Sequence, residues 1–253
     1  MVTLPQAMSG CYLLIDISNS FTKLAFATRA RVSRPMRVPT PAFDVSYLRR
    51  ILKGRKIERI VVSSVVPAKN RIVRTAARDT SMLYLGPRVK LGVGIDYPSP
   101  TTIGADRLAN AAAVAGLYGC PAIVVDFGTA VTFDIVSAER KYIGGVIAPG
   151  LEAMTNFLYQ RTALLPKLSL REPRRAVGRS TIEAMRAGAI FGYRGLVREI
   201  VKQIRAEEFP QEHVHIVATG GYARLVASKL PTIDAVHPNL TLEGLRLAAN
   251  LNT

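Results

Sequence analysis

The chain contains LLIDISNS at residues 13–20 and IVVDFGTA at residues 123–130. Both stretches have the same order: a short apolar run, an aspartate, a turn of small residues and a second strand. A further β-branched run follows in each half, at residues 61–66 and 214–218. The pairing predicts one duplicated α/β unit, while chance similarity between buried strands is the alternative.

The length of 253 residues is suited to two domains of ordinary size. We predict a domain boundary near Gly116–Pro121, giving domains of residues 1–117 and 118–253, and a loose tail at residues 1–10. Helix candidates lie at residues 44–52, 70–79, 105–118, 150–159, 180–206 and 241–251. The fifth of these contains Gly192 and Gly195, where it could break.

The chain is strongly basic, with 34 Lys and Arg against 18 Asp and Glu, a formal net charge of +16. Its basic residues are spread along the sequence, and Arg171, Arg174 and Arg175 are among them. No helix-turn-helix or zinc-finger motif accompanies them. The charge therefore indicates a general surface property that attracts anionic substrates, with specific nucleic-acid recognition as the lesser alternative.

Composition also bears on the cellular compartment. No stretch approaches the roughly 18–20 apolar residues that cross a bilayer, and the N-terminal residues lack signal-peptide order. Two isolated cysteines, Cys11 and Cys120, do not suggest a disulfide framework. We expect a cytoplasmic protein without membrane segments.

Two turns are candidates for binding phosphate. In the first, from Asp16 to Lys23, small residues allow backbone N–H groups close to phosphate oxygens, Asp16 could hold Mg²⁺ or its waters, and Lys23 could neutralise charge. The second, from Asp126 to Thr132, repeats the design, with a hydroxyl at Thr129. Facing each other, the two would clamp a triphosphate; an ordinary hairpin is the alternative for each.

Two further segments could bind substrate or nucleotide. Thr219-Gly220-Gly221 follows a buried strand and offers open surface for a base or ribose. Gly104 to Arg107 opens a helix, where Asp106 could accept a proton and Arg107 could bind a carboxylate through two hydrogen bonds. The alternatives are an ordinary turn before a helix and an ordinary helix start. No P-loop sequence is present.

These motifs, taken in order, resemble the type III pantothenate kinases of the acetate and sugar kinase, heat-shock chaperone and actin superfamily. The resemblance runs from Leu13 to about Leu245. It rests on GADRLAN at 104–110, DFGTA at 126–130, GGVIAPG at 144–150, TALLP at 162–166, GRST at 178–181, TGG at 219–221 and LTLEG at 240–244.

The resemblance implies an α/β fold of two duplicated actin-like ATPase (ribonuclease H-like) domains, with mixed sheets flanked by helices. It implies a homodimer that transfers the ATP γ-phosphate to pantothenate, with Mg²⁺ and a monovalent cation, K⁺ or NH₄⁺. The implied proton acceptor is Asp106, and the implied cation ligand is Asp126. The implied substrate residues are Tyr97, Gly104, Ala105, Asp106, Arg107 and Thr181. The implied ATP residues are Asp16, Ile17, Ser18, Asn19, Ser20, Phe21, Thr22, Lys23 and Thr129.

One segment departs from the family pattern, which reads Asp-x-Gly-Asn-Thr. Here Ser18 replaces the glycine and Ser20 replaces the threonine. If the glycine position requires positive φ, Ser18 costs about 1 kcal/mol and its Cβ approaches the phosphate. Two alternatives stay open: a kinase of another small hydroxy acid, and a non-catalytic regulator on the same fold, since members of this family have been associated with regulation as Bvg accessory factor.

Overall fold

The computed structural model describes residues 11–253, so the tail predicted at residues 1–10 lies outside the described residues. Two compact units form. The first unit consists of the described residues up to Leu117 together with Arg140–Tyr142 and Asn239–Thr253. The second unit consists of Tyr118–Glu139 and Ile143–Pro238. The division at 117/118 stays a prediction, and the last helix candidate packs in the first unit.

The first unit is built on a mixed five-stranded sheet of order β3-β2-β1-β4-β5. Its strands are β1 (Tyr12–Ile17), β2 (Phe21–Ala27), β3 (Met36–Pro39), β4 (Arg59–Ser64) and β5 (Ser81–Tyr84). β1 pairs antiparallel with β2 and parallel with β4. Its helices are α1 (Val45–Leu52), α2 (Asn70–Ala76), α3 (Ala105–Leu117) and α7 (Leu240–Leu251).

The central strand β1 is buried on both faces, as its continuous apolar run predicts. On one face Leu13, Ile15 and Ile17 share a core cluster with Phe43 and Leu48. Helix α1 begins where Asp44 accepts a hydrogen bond from the Tyr47 N–H at 2.7 Å, so Asp44 is its N-cap and the predicted start of this helix at residue 44 is confirmed.

Helices α3 and α7 pack closely because one of them has a glycine at the crossing. A Cβ added at Gly244 would collide with the carbonyl oxygen of Ala109, so any other residue would push the helices apart. Near the crossing, the Thr241 hydroxyl donates to the Asn110 side-chain oxygen at 2.9 Å, and both residues are buried. This satisfies two polar groups inside the interface.

The second unit contains strands in the order β11-β10-β7-β8-β9. They are β7 (Ala122–Phe127), β8 (Ala130–Val136), β9 (Lys141–Pro149), β10 (His215–Thr219) and β11 (Ala235–Val236). The first residues of β9, 141–142, belong to the first unit and pair with β6 (Gly94–Ile95). The helices are α4 (Leu151–Arg161), α5 (Thr181–Glu208) and α6 (Ala223–Ala227).

Helix α5 is continuous, so the break considered at Gly192 and Gly195 does not occur. A Cβ at either glycine would meet nothing within 4 Å, so neither glycine marks a close approach by another element. A solvent-facing glycine costs a helix only about 1 kcal/mol, and the apolar side of α5 outweighs this by packing into the core with Ile190, Tyr193 and Val197.

The duplication predicted from the two sequence stretches is confirmed in the topology. Each unit has a hairpin, β1–β2 or β7–β8, whose first strand also pairs in parallel with a later strand, β4 or β10. In this register Asp16 lies opposite Ser63, and Asp126 lies opposite Thr219. Both units therefore place a hydroxyl-bearing residue beside the strand-terminal aspartate. No helix among residues 11–253 has the length and apolar character to span a membrane.

Candidate active site

Two hydrogen bonds from Thr40 hold the first hairpin turn, residues 18–20, in place. The Thr40 hydroxyl donates to the Ser18 carbonyl at 2.7 Å, and its N–H donates to the Ser20 carbonyl at 3.0 Å. These two bonds engage carbonyl groups at both ends of the turn and hold it in one conformation. Asp16 is only 3% exposed at the end of β1, and Lys23 is its antiparallel partner.

Ser18 adopts an ordinary backbone conformation. Among the described residues other than glycine, only Arg140 has a positive φ. The cost considered for a serine at a position requiring positive φ therefore does not arise. The Ser18 N–H donates to the Phe21 carbonyl at 3.2 Å, and its hydroxyl lies 3.4 Å from a carboxylate oxygen of Asp16.

A cation also lies next to this turn, on the ring of Phe21. The Arg37 guanidinium lies 3.5 Å from the centroid of the Phe21 ring, where an arginine is favoured by the negative face of the aromatic system. Lys23 pairs with Arg37 across β2 and β3. Together these cations make the neighbourhood of the turn attractive to phosphate.

The second hairpin turn is held between two glycines of the same unit. The Gly150 N–H donates to the Thr129 carbonyl at 3.1 Å, and a Cβ at Gly150 would collide with that carbonyl. On the other side, Gly220 has φ +92°, and a Cβ there would lie 2.5 Å from a carboxylate oxygen of Asp126. These glycines bring the start of α4 and the TGG segment against Asp126 and Thr129.

The start of α3 is shaped by Gly104 and the side chain of Asp106. One carboxylate oxygen of Asp106 accepts from the Arg107 N–H at 2.9 Å. A Cβ at Gly104 would lie 2.5 Å from that oxygen, so only glycine lets the carboxylate take this position. Asp106 is half-buried and Ala105 is buried beneath it. The helix N-terminus favours the ionised carboxylate.

Tyr142 links two of the predicted substrate residues, and sequence reasoning missed it. The Arg107 guanidinium lies 5.7 Å from the centroid of the Tyr142 ring, and Tyr97 packs edge-on against the same ring at 6.1 Å. Tyr142 is fully buried, whereas Tyr97 is 37% exposed. Tyr142 is far along the chain from Tyr97, and no local sequence pattern links the two residues.

Thr181 is the first residue of α5, and a reciprocal pair of hydrogen bonds sets its position. The Ser180 hydroxyl accepts from the Glu183 N–H at 3.3 Å, and the Glu183 carboxylate accepts from the Arg179 N–H at 2.8 Å. Gly178 approaches the backbone of Ala184 where a Cβ would collide. The GRST sequence thus explains how an exposed threonine is held at a helix start.

The predicted residues are divided between the two units. The first unit holds the Asp16–Lys23 turn, Tyr97 and the Gly104–Arg107 segment. The second unit holds Asp126, Thr129 and Thr181. The first group provides a half-buried carboxylate beside an arginine, which fits proton transfer and carboxylate binding. In the second group, the β7–β8 turn adjoins the TGG segment.

The family model for type III pantothenate kinases matches residues 12–203. The chain belongs to the type III pantothenate kinase family. A type III pantothenate kinase from Akkermansia muciniphila is 48% identical over 247 residues, covering 95% of this chain and 99% of the relative. Another from Methylacidiphilum infernorum is 42% identical, covering 94% and 88%. Type III pantothenate kinases are enzymes that use ATP.

Solved structures support the fold assignment. A Campylobacter jejuni protein described as a Baf family transcriptional activator superposes with a TM-score of 0.59 at 19% identity, covering 94% of this chain and 97% of that protein. At this identity the likeness shows the fold alone. The expected α/β fold of duplicated actin-like ATPase domains, with two mixed sheets flanked by helices, is confirmed.

Replacing Gly220 by alanine should disrupt the second hairpin turn. The new Cβ meets Asp126 and forces positive φ on a non-glycine residue, so we expect a loss of about 2 kcal/mol or more in the free energy of unfolding. The neighbouring Gly221→Ala is the matched control, because its Cβ meets nothing within 4 Å. Urea unfolding measures both. Equal effects of the two substitutions would contradict the role assigned to Gly220.

Proposed function

We propose that this chain transfers the γ-phosphoryl group of ATP to the primary hydroxyl of pantothenate, the first step of coenzyme A biosynthesis. The observation that supports it best is the start of α3, where Gly104 lets the Asp106 carboxylate fold over the helix N-terminus beside Arg107. Membership of the type III pantothenate kinase family gives the acceptor and the donor.

In this proposal Asp106 accepts the proton of the pantothenate hydroxyl as that oxygen bonds to the γ-phosphorus. The bond from the γ-phosphorus to the bridging oxygen breaks, and ADP leaves with the electron pair. Because the proton moves late in phosphoryl transfer, an ordinary carboxylate serves as acceptor. Its hydrogen bond from the Arg107 N–H fixes the direction of the carboxylate.

Arg107 would bind the pantothenate carboxylate, and Tyr97 would line the same site. Tyr142 would position both side chains, because its ring packs against the Tyr97 ring and lies under the Arg107 guanidinium. The planar guanidinium has the geometry to form paired hydrogen bonds with a carboxylate. Gly104, Ala105 and Thr181 complete the proposed substrate residues.

The nucleotide would be bound by the two hairpin turns. The proposed contacts are the eight residues from Asp16 to Lys23 and Thr129. The first turn is held in one conformation by Thr40, and a turn of small residues lets phosphate oxygens approach its backbone closely. Lys23 and Arg37 add positive charge on the adjacent strands.

The residues present fit the two cations. Mg²⁺ is usually held by one or two carboxylates together with nucleotide phosphates, and Asp16 provides a carboxylate. A monovalent cation, K⁺ or NH₄⁺, would bind at Asp126, where the buried Thr219 hydroxyl on the paired strand has no hydrogen-bond partner among the described residues. Mg²⁺ would neutralise charge on the phosphates.

We further propose that the protein is a homodimer in the cytoplasm. Eight of the twelve exposed large apolar side chains among residues 11–253 fall between residues 147 and 182: Ile147, Met154, Phe157, Leu158, Tyr159, Leu164, Val177 and Ile182. Such a concentration is typical of a surface that binds another protein. Met154, Phe157 and Leu158 have the spacing of one helix side on α4.

A coupled ADP-release assay with pantothenate, ATP and Mg²⁺, in either K⁺ or Na⁺, tests the function. We expect turnover that requires pantothenate and is faster with K⁺ than with Na⁺. A panel of other small hydroxy acids separates pantothenate from another acceptor. A folded protein without turnover on any acceptor would favour the regulator alternative.

Replacing Asp106 by asparagine should lower kcat by about 100-fold or more, because the amide cannot accept the proton. The substitution keeps the size of the side chain and its hydrogen bond from the Arg107 N–H, so the fold should be retained. Asp96→Asn is the matched control, since Asp96 is exposed and its 3.5 Å ion pair is with Lys141. Full activity of the Asp106 variant would exclude the proposed role.

Replacing Phe157 by glutamate should weaken the dimer, because it puts a charge into the apolar surface. Light scattering after size exclusion should give a two-chain mass for the wild type and a mass nearer one chain for the variant. Leu251→Glu introduces the same charge at a similarly exposed residue of α7 and should leave the dimer intact. A monomeric wild type would refute the dimer.

A further inference from the structure

A cavity of about 220 Å³ in the second unit has walls rich in arginine. Its arginines are Arg171, Arg174, Arg175 and Arg186, and its carboxylates are Glu172 and Glu183. The first three arginines lie in the irregular segment of residues 162–180, and Arg186 lies on α5. The cavity therefore joins a segment without regular structure to a long helix of the same unit.

Arg186 is the most informative of these residues because it is buried. It is only 8% exposed, and its Nε donates to the Ser169 carbonyl at 3.4 Å. Within residues 11–253 no carboxylate lies within ion-pair distance of its guanidinium. A buried cation without a counter-ion is costly, so an anion that enters the cavity removes part of that cost.

The carboxylates in the cavity wall already interact with other groups. Both oxygens of Glu172 accept from Arg194, at 3.0 and 2.7 Å, and Lys229 lies 3.3 Å away. The hydrogen bonds from Arg194 lower the pKa of Glu172, so this carboxylate is ionised and its charge is balanced from outside the cavity. The cavity is left with an excess of positive charge.

Glu183 does not supply the missing charge either. Its carboxylate accepts from the Arg179 N–H at 2.8 Å as part of the start of α5. Although Glu183 and Arg186 are three residues apart on the helix, they form no ion pair within the part of the chain that the structure describes. Four arginine side chains thus face a cavity whose two acids are engaged elsewhere.

We propose that this cavity binds a phosphate dianion, either inorganic phosphate or the phosphate group of a small phosphomonoester. Arginine suits this ligand because its planar fork of donors matches two phosphate oxygens at once. The volume favours a head group over a complete cofactor, since pockets for drug-sized ligands have about 300–1,000 Å³. The site goes beyond the proposed kinase function and involves none of its residues.

Binding would tie the irregular segment to α5. Arg171, Arg174 and Arg175 come from the segment, whereas Arg186 is fixed on the helix five residues after Thr181. A phosphate between them would restrict the segment next to the start of α5. Hydrogen exchange of residues 162–180 should therefore slow when phosphate is added, although the readout that decides the proposal is binding itself.

Isothermal titration of the wild type with inorganic phosphate, at low ionic strength and without ATP or pantothenate, tests the site. We expect saturable binding with one phosphate per chain. The double variant Arg174→Gln/Arg175→Gln should bind about tenfold or more weakly. Both arginines are exposed, so the fold should tolerate their loss.

The matched control is Arg198→Gln/Arg205→Gln, which removes the same charge from exposed positions of α5 away from the cavity. This variant should bind phosphate like the wild type. Equal weakening in both double variants would show a general charge effect and overturn the proposal, as would absence of saturable binding in the wild type. Arg186→Gln is a second variant, and its loss of binding counts only if its circular dichroism is native.

Glycerol 3-phosphate distinguishes the two sources of the dianion. Tighter binding of glycerol 3-phosphate than of inorganic phosphate assigns the site to an ester, and the reverse assigns it to free phosphate. Retention of random duplex DNA through Arg174 and Arg175, without saturable phosphate binding, would assign these arginines to nucleic acid and refute the proposal. None of these experiments measures kinase turnover, so a negative result for the phosphate site can be told apart from a failure of the proposed kinase function.

Discussion

The pairing of one central strand with neighbours on both sides is the constraint on which the rest of the structure depends. β1 is bonded to β2 and β4, and β7 is bonded to β8 and β10, so each strand has its backbone groups satisfied along both edges. A strand bonded in this way cannot slip by one residue without turning its apolar side chains outward. The register of each strand therefore fixes the positions of Asp16 and Asp126 next to their turns.

Close contacts at four glycines fix the segments that pack around these strands. Gly150 and Gly220 press against the β7–β8 turn, Gly104 makes room for the Asp106 carboxylate, and Gly244 lets α7 reach α3. At each of these positions the added volume of one methyl group would collide with a polar atom. The first turn differs, because it is supported by the side chain and N–H of Thr40, and its Ser18 needs no special φ.

The sequence predicted the features that depend on local patterns. Apolar runs ending in Asp16 and Asp126 predicted the duplicated hairpins, and Asp44 predicted the start of α1. Features that depend on distant contacts were not predictable. Tyr142 gives no local sign that it packs with Tyr97 and Arg107, and β3 lies in a stretch of prolines and arginines that predicts no regular element. The charge pattern showed Arg171, Arg174 and Arg175, but not that they share a cavity with a buried Arg186.

The position of α7 has a consequence for how the protein is made. The chain passes between the two units after residues 117, 139, 142 and 238, and α7 lies beyond the last passage. The first unit therefore lacks its closing helix until the residues of the second unit have been synthesised. During synthesis on the ribosome, the apolar surfaces of α3 and β1 that α7 covers therefore stay uncovered until the residues of the second unit have been made. The first unit cannot be excised as one continuous fragment.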